Sequence, residues 1–213
     1  MPDPDYTVSE WADTHRMLSQ KASAEPGRWR TDRTPYLKGI MDELSPHSPI
    51  ETVVFQAGAQ VGKSETGNNW TGFIIDHAPG PMMLVQPTTD TAKRFSKQRL
   101  APMFEETPRL KERIADPRSR DSGNTQLVKE FLGGVLVITG ANSAVGLRSM
   151  PVRYLFLDEV DGFPVDVDGE GDPVILAIRR TTTFARRKIF MCSTPTVKDL
   201  SRIEREYLVS DQR

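Results

Sequence analysis

The sequence lacks the features that define several protein classes. Its one cysteine, Cys192, excludes an internal disulfide and a cysteine zinc site and is expected to be a small core residue of a strand. No apolar stretch approaches the length of a membrane span, and Met1–Ser9 lacks the layout of a signal peptide. The net charge of −1 argues against a surface coated with positive charge, so any nucleic acid must be held locally. These absences predict a cytoplasmic protein.

The length and composition allow a substantial core. A chain of 213 residues with 37% hydrophobic and 27% charged residues is best explained by one α/β domain with an appendage. We place a helical N-terminal extension at residues 1–50 and the main domain at residues 51–213. Within the extension, Thr7 and Glu10 form a capping box that predicts an amphipathic helix over residues 7–20.

A phosphate-binding loop is indicated between residues 52 and 64, TVVFQAGAQVGKS. Val53–Phe55 predict a buried strand in a central parallel position, and Gly62, Lys63 and Ser64 open a helix. In this context the loop amides hold phosphates, Lys63 reaches the β and γ oxygens, and the Ser64 hydroxyl ligates Mg²⁺. Gly67 and Gly72 interrupt the following helix, which indicates close packing on the sheet.

This loop departs from the usual G-x-x-x-x-G-K-[ST] pattern, because Ala57 stands where the first glycine belongs and Gly58 follows one place later. A Gly-Lys-Ser tripeptide alone also occurs by chance. The preceding strand and an acidic partner downstream favour the phosphate-loop interpretation.

The acidic partner lies at the end of an apolar stretch, residues 152–159, VRYLFLDE. An isolated Asp-Glu pair is common in turns, but here it follows a predicted strand about a hundred residues after Lys63. We expect Asp158 to hold Mg²⁺ and Glu159 to accept a proton from the attacking water, since a carboxylate occupied by metal is a poor base. The interpretation requires Lys63 and both acids to converge across adjacent strands.

Several other groups have two open interpretations. An aromatic and basic segment upstream of the loop either contacts the nucleotide base or packs the N-terminal helices; it comprises Arg28, Trp29, Arg30, Arg33 and Tyr36. A basic helix face either is solvated or contacts DNA phosphates; it comprises Lys93, Arg94, Lys97 and Arg99. Ser193, Thr194 and Pro195 end a predicted strand and are placed to sense the γ-phosphate; a basic cluster precedes that strand, Arg179, Arg180, Arg186, Arg187 and Lys188.

Taken together, the segments FQAGAQVGKSE, QPTTDTAKRF, GANSAVGLRS, VRYLFLDEVDGFP and CSTPT resemble the ATPase domain of tailed-phage terminase large subunits of the lambda-like (GpA) family. The resemblance runs from about Pro26 onward and covers the loop's departure, since this family has a Gln ahead of Gly-Lys-Ser/Thr, here Gln60. It implies a P-loop NTPase fold of the ASCE/RecA-like type, with a mostly parallel sheet flanked by helices.

The resemblance also implies a set of site residues. The Walker A loop would bind ATP through Gln56, Ala57, Gly58, Ala59, Gln60, Val61, Gly62, Lys63, Ser64 and Glu65, and Arg33 and Tyr36 stay candidates from the upstream segment. Ser64 and the Walker B Asp158 would hold Mg²⁺, and Glu159 and Lys63 would be catalytic. Ser193, Thr194 and Pro195 match the coupling motif. Arg148 either acts as an arginine finger on a neighbouring subunit or is an ordinary surface arginine.

By the same resemblance the protein is an ATP-driven motor that packages double-stranded viral DNA into the procapsid within a bacterial host cell. Its expected partners are the small terminase subunit, the procapsid portal and further copies in a ring. The family continues into a nuclease domain that we do not find in these residues, so we expect ATP hydrolysis without DNA cleavage. Two alternatives remain: a helicase-type translocase, and a scaffold that binds ATP without hydrolysing it.

Overall fold

The computed structural model describes residues 5–21, 23, 25–114 and 124–211. The N-terminal segment contains α1 (Val8–His15), β1 (Met17–Leu18), β2 (Gly27–Arg28) and α2 (Tyr36–Glu43). The elements that follow are β3 (Thr52–Gln56), α3 (Lys63–Asp76), β4 (Met82–Gln86), α4 (Thr89–Phe95), α5 (Ala101–Glu106), α6 (Pro108–Arg113), β5 (Val128–Phe131), β6 (Gly134–Gly140), α7 (Ala144–Leu147), β7 (Tyr154–Asp158), α8 (Pro173–Ile178), β8 (Lys188–Ser193) and α9 (Arg202–Leu208). Within these ranges no helix is long and apolar enough to cross a membrane.

The central feature is a six-stranded sheet in the order β3-β8-β7-β4-β6-β5. All neighbouring pairs are parallel except β5 and β6, which form an antiparallel hairpin. β4, β7 and β8 are buried along their whole length, as expected for apolar strands covered on both faces. The fold is therefore α/β with a mostly parallel sheet flanked by helices, which confirms the predicted fold class.

Two expectations about the strands were wrong. β3 stands at the end of the described sheet and is only partly buried, although its apolar run suggested a central position. Its neighbour is β8, which lies between β3 and β7, so the strands that carry the two motifs are not adjacent. Helices as well as neighbouring strands can bury an apolar run, and α9 packs against β3. An apolar run therefore does not show that a strand is central.

Alternate side chains of the inner strands enter two separate cores. In β7, Tyr154 and Phe156 face the core formed with α1, α2 and α3, whereas Leu155 and Leu157 face the core beside α7 and α8. The two-residue period of a strand thus places a hydrophobic layer on each face. The carboxyl ends of β3, β8, β7 and β4 lie together at one edge of this sandwich.

The helix α3 packs closely on the sheet because of one glycine. A Cβ atom on Gly67 would lie 2.0 Å from Phe156, which confirms the predicted close packing. Gly72 differs from the expectation, since a Cβ there would meet Trp11 of α1 at 2.4 Å. The Trp11 indole N–H also donates to Asp76 at 2.9 Å, so α1 is fixed against the far side of α3.

The first helix is shorter than the expected residues 7–20. Its capping box forms as predicted, but α1 ends at His15 and the chain becomes extended at Arg16. Met17 and Leu18 then pair with Arg28 and Gly27 in the β1-β2 ribbon. This turn brings Arg16 to the carboxyl-end edge of the sheet, beside the phosphate loop.

Candidate active site

The loop between β3 and α3 has the geometry of an anion-binding turn. Gly62 adopts a φ of 88° and precedes the first residue of α3, Lys63. A side chain at Gly62 would be strained by this φ and would place its Cβ 2.8 Å from Leu37. Gln60 also has a positive φ, 59°. The loop amides and the helix N-terminus therefore meet where phosphate groups are favourably bound.

Lys63 is a buried cation inside this loop, with 4% of its side chain exposed. Its Nζ donates to the carbonyl of Gly58 at 2.6 Å, to the carbonyl of Ala57 at 3.3 Å and to Thr194 Oγ1 at 2.8 Å. Glu159 Oε1 lies 4.0 Å from the same nitrogen. Lys63 thus links the loop to the carboxyl ends of β7 and β8.

Ser64 and Asp158 meet across the sheet edge. The Ser64 hydroxyl lies 3.1 Å from both carboxylate oxygens of Asp158, and Gln86 Nε2 donates to Oδ2 at 2.8 Å. The Cys192 thiol donates to Oδ1 at 3.1 Å, so the expected small core residue is also a partner of this acid. Burial raises the pKa of Asp158, and the hydrogen bond from Gln86 opposes that rise.

The oxygens of Ser64 and Asp158 suit a hard divalent cation. Mg²⁺ is usually held by one or two protein oxygens, with water and substrate phosphates completing its coordination. The described residues contain no cluster of three or more His, Cys, Asp or Glu side chains that could hold a metal by themselves. The donor set fits a metal bound together with a nucleotide.

Glu159 directly follows β7 and has a left-handed backbone conformation, with φ 56° and ψ 53°. This conformation is uncommon for residues other than glycine and turns the chain out of the pleat. Glu159 Oε2 accepts from Ser193 Oγ and from the backbone N–H of Thr194, each at 3.4 Å. Asp158 and Glu159 thereby face the same region although they are neighbours in sequence.

Lys63, Ser64 and Glu159 border one cavity of about 510 Å³, whereas Asp158 is not among its lining residues and reaches it through its hydrogen bond with Ser64. Its lining residues are Arg16, Leu18, Ser19, Ser23, Trp29, Ala59, Gln60, Gly62, Lys63, Ser64, Glu65, Arg99, Met103, Glu159 and Thr194. The structure therefore brings the phosphate loop, Glu159 and Thr194 together. Trp29 belongs to the hydrophobic core as well as to the lining, so its contact with the nucleotide base stays a prediction.

Some lining residues were missed by sequence reasoning. Arg99 stands in a π-helical stretch, Ser96–Leu100, that connects α4 to α5. The sequence pattern groups Arg99 with three other basic residues of one helix face, and nothing in that pattern distinguishes it. Arg16 carried no sequence signal, because the pattern placed it inside a longer helix.

Other candidate residues lie elsewhere and stay predictions. Arg33 forms an ion pair with Glu25, and Tyr36 Oη donates to the carbonyl of Val61 at 3.2 Å, so Tyr36 touches the loop from outside the cavity lining. Arg148 follows α7 and is half-exposed, 3.0 Å from Glu170. Gln56 is the last residue of β3.

Arg187 and Lys188, two residues of the basic cluster that precedes Ser193, lie far from the phosphate loop. Lys188 begins β8, at the opposite end of the strand from Ser193. Its Nζ donates to the carbonyls of Glu43, Ser48 and Ile50. Arg187 forms an ion pair with Glu51 at 2.8 Å. These residues therefore line the sheet edge away from the phosphate loop.

Comparisons with known proteins agree on one group. A family model described as the ATPase domain of the phage terminase large subunit gpA matches residues 23–213. The terminase large subunit of Enterobacteria phage P21 is 31% identical over 206 residues, which are 96% of this chain and 32% of that protein. The corresponding subunit of Escherichia phage lambda is 28% identical over 205 residues, 96% of this chain and 31% of that protein.

A solved structure supports the fold. The crystal structure of the HK97 bacteriophage large terminase matches with a TM-score of 0.70 and 10% identity, over 93% of this chain and 39% of that chain. At this identity the match concerns the fold alone. The chain spans about a third of the length of the P21 and lambda relatives.

Proposed function

Because the chain belongs to the family of gpA-type ATPase domains of phage terminase large subunits, we propose that it binds ATP with Mg²⁺ and hydrolyses it to ADP and phosphate. The observation that carries this proposal is the convergence of Lys63, Ser64 and Glu159 on one cavity at the carboxyl ends of the strands, with Asp158 hydrogen-bonded to Ser64. This edge is where open α/β sheets bind nucleotides.

We assign a role to each of these four residues. Lys63 would exchange its carbonyl partners for the β and γ oxygens of ATP, and the loop amides would hold the phosphates. Ser64 and Asp158 would hold Mg²⁺, which when bound neutralises charge on those oxygens. Glu159 would accept a proton from the attacking water, since Asp158 is already engaged by Ser64, Gln86 and Cys192.

The contacts of Thr194 support the proposal that Ser193, Thr194 and Pro195 couple ATP hydrolysis to movement of the chain. Its hydroxyl accepts from Lys63 and its backbone N–H donates to Glu159. Loss of the γ-phosphate would change the partners of Lys63 and thereby those of Thr194, at the start of the segment that leads to α9. A local change at the phosphate would thus reach a whole helix.

The complete motor extends beyond this domain. We propose that the ATPase cycle drives translocation of double-stranded DNA into the procapsid of a phage inside its bacterial host, in a ring of copies that engages the small terminase subunit and the portal. The family membership supports this proposal. Arg148, half-exposed after α7, would act on the neighbouring copy after leaving Glu170.

Replacing the base tests the enzymatic function. We expect Glu159→Gln to lower ATP turnover by about 10²- to 10⁴-fold, the usual contribution of a general base, while ADP affinity stays within about threefold of wild type. Phosphate release with and without double-stranded DNA, and fluorescence of a labelled ADP, measure the two effects. Glu112→Gln, on the exposed side of α6, is the matched control and should leave both unchanged.

The alternatives give different results. Turnover at the wild-type rate in Glu159→Gln would contradict the assigned base. A wild-type chain that binds ADP but releases no phosphate, with or without double-stranded DNA, would instead support a scaffold.

A further inference from the structure

Arg16 is a buried cation on the lining of the nucleotide cavity. Its backbone is fixed from two sides, since its N–H donates to Ala12 of α1 at 3.0 Å and its carbonyl accepts from Trp29 at 3.0 Å. Only 4% of its side chain is exposed, yet the residue borders the cavity beside Lys63 and Ser64. The N-terminal ribbon therefore holds a charged group at a set position next to the phosphate loop.

The guanidinium of Arg16 is incompletely satisfied. Nη2 lies 3.1 Å from Glu65 Oε2, and Nη1 donates to the carbonyl of Met17. Within the described part of the chain, no acceptor faces the buried Nε. A buried donor without a partner is costly, and guanidinium groups are well suited to bind phosphate through two parallel hydrogen bonds. Arg16 thus has a spare donor of the kind that phosphate recognition uses.

Two of the cations that line the cavity face a carboxylate. Among the lining residues, Arg16 faces Glu65 and Lys63 faces Glu159, while Arg99 is a third cation. Glu65 stands in the first turn of α3, where the helix N-terminus favours anions. A bound polyphosphate would be repelled by the Glu65 carboxylate unless Arg16 offsets that charge or turns to the phosphate itself.

We propose that Arg16 is a further nucleotide-binding residue, which exchanges its ion pair with Glu65 for the phosphate nearest the nucleoside. This inference rests on the proposed function, because it takes the cavity to be the nucleotide site. Lys63 lies toward Glu159 and serves the β and γ end, whereas Arg16 lies toward Glu65. Leu18 and Trp29 line the cavity on the ribbon that carries Arg16 and offer apolar surface for the base.

Binding of ADP, AMP and adenosine to variants separates the two cations. We expect Arg16→Gln to weaken ADP and AMP binding about tenfold and to leave adenosine unchanged, because only the first two carry the phosphate it contacts. Lys63→Gln should weaken ADP binding but not AMP binding. Lys21→Gln, an exposed residue of the same segment, removes the same charge and should match wild type in all three. Displacement of a fluorescent ADP analogue gives the affinities.

The partner acid distinguishes recognition from structural support. If Arg16 binds phosphate, Glu65→Gln tightens ADP binding about threefold or more by removing the competitor, and the double variant Arg16→Gln, Glu65→Gln stays as weak as Arg16→Gln. If Arg16 only neutralises Glu65, the double variant regains wild-type affinity, which would overturn the inference. Weaker ADP binding in Glu65→Gln would overturn it too, and this arm holds even if Arg16→Gln does not fold.

Failure of the underlying function has its own signature. A wild-type chain that does not bind ADP, or a Lys63→Gln variant with unchanged ADP affinity, would contradict the nucleotide site itself. Normal binding of ADP and AMP by a folded Arg16→Gln variant, with weakened ADP binding by Lys63→Gln, would overturn only the role of Arg16. Circular dichroism and thermal unfolding of each variant establish that it is folded.

Discussion

Asp158 shows how one carboxylate can be specialised by its surroundings. It is buried at the end of β7, and it accepts hydrogen bonds from Gln86, Ser64 and Cys192. Burial raises its pKa because the charged form loses hydration. The adjacent Glu159 is half-exposed and faces Lys63. Two neighbouring acids therefore occupy different environments. The buried Asp158 is suited to bind a cation, and the half-exposed Glu159 is suited to accept a proton.

Replacing Asp158 by asparagine should separate stability from activity. The raised pKa means that the folded chain binds more protons than the unfolded chain above the usual pKa of an aspartate. The unfolding free energy of the wild type therefore falls as pH rises through that window. We expect Asp158→Asn to raise Tm by roughly 2 to 4 °C near pH 8, the effect of about 1 kcal/mol in a domain of this size, while ATP turnover is lost.

Thermal unfolding between about pH 4 and about pH 8 checks this prediction, since the advantage of Asp158→Asn should grow with pH. Asp90→Asn, at an exposed carboxylate, is the control for the loss of one negative charge. A variant less stable than wild type near pH 8 would show that the hydrogen bonds to the carboxylate outweigh its desolvation.

The elements of this chain could be predicted where their signals are local. The apolar stretch at residues 152–159 predicts a strand, and β7 lies within it at Tyr154–Asp158, because a short apolar run of this length has few alternatives. The strand, loop and helix around Lys63 were also predicted. By contrast, the insertion of β8 between β3 and β7 depends on the pairing of β3 with β8, whose partner residues are more than a hundred positions apart. Hydrophobic pattern carries no information on that order.

The site was predicted to a similar extent. Lys63, Ser64, Asp158 and Glu159 belong to short motifs whose spacing reflects their chemistry. The contact between Thr194 and Lys63 and the approach of Arg16 to Glu65 arise from tertiary packing. No periodic pattern marks such residues, since their role depends on which elements fold beside them.

Replacement of a helix glycine by alanine should change the stability of the protein in opposite directions at two positions. We expect Gly67→Ala to destabilise the protein by about 2 to 3 kcal/mol or more, because its Cβ would overlap Phe156, which stacks on Phe190 in the core. Gly39→Ala should stabilise it by about 0.5 to 1 kcal/mol, since Gly39 is exposed within α2 and a Cβ there meets nothing within 4 Å. Urea unfolding measures both.

Gly39→Ala is also the control for helix propensity, because both residues lie inside helices and gain the same methyl group. If Gly67→Ala were as stable as wild type, α3 could move away from the sheet, and the phosphate loop at its N-terminus would not be held as rigidly as the structure indicates.

At the scale of the whole molecule, Lys188 connects the N-terminal segment to the sheet. Its ammonium donates to the carbonyls of Glu43, the last residue of α2, and of Ser48 and Ile50, which lie between α2 and β3. Burial lowers the pKa of Lys188 from 10.5 to about 8, with Glu43 opposing that fall. The hydrogen bonds of Lys188 thus hold the N-terminal segment against the central sheet. The ammonium loses part of its hydration in this position.

This junction predicts a pH-dependent stability. Between pH 8 and 10.5 the unfolded chain keeps the Lys188 proton while the folded chain releases it, so this group makes the unfolding free energy rise with pH in that window. We therefore expect the stability difference between wild type and Lys188→Met to shift toward wild type from about pH 7.5 to about pH 9.5 in urea unfolding. Lys111→Met, at an exposed position of α6, controls for the change in net charge. A difference that stays flat or moves toward Lys188→Met would mean that the ammonium remains hydrated in the folded protein.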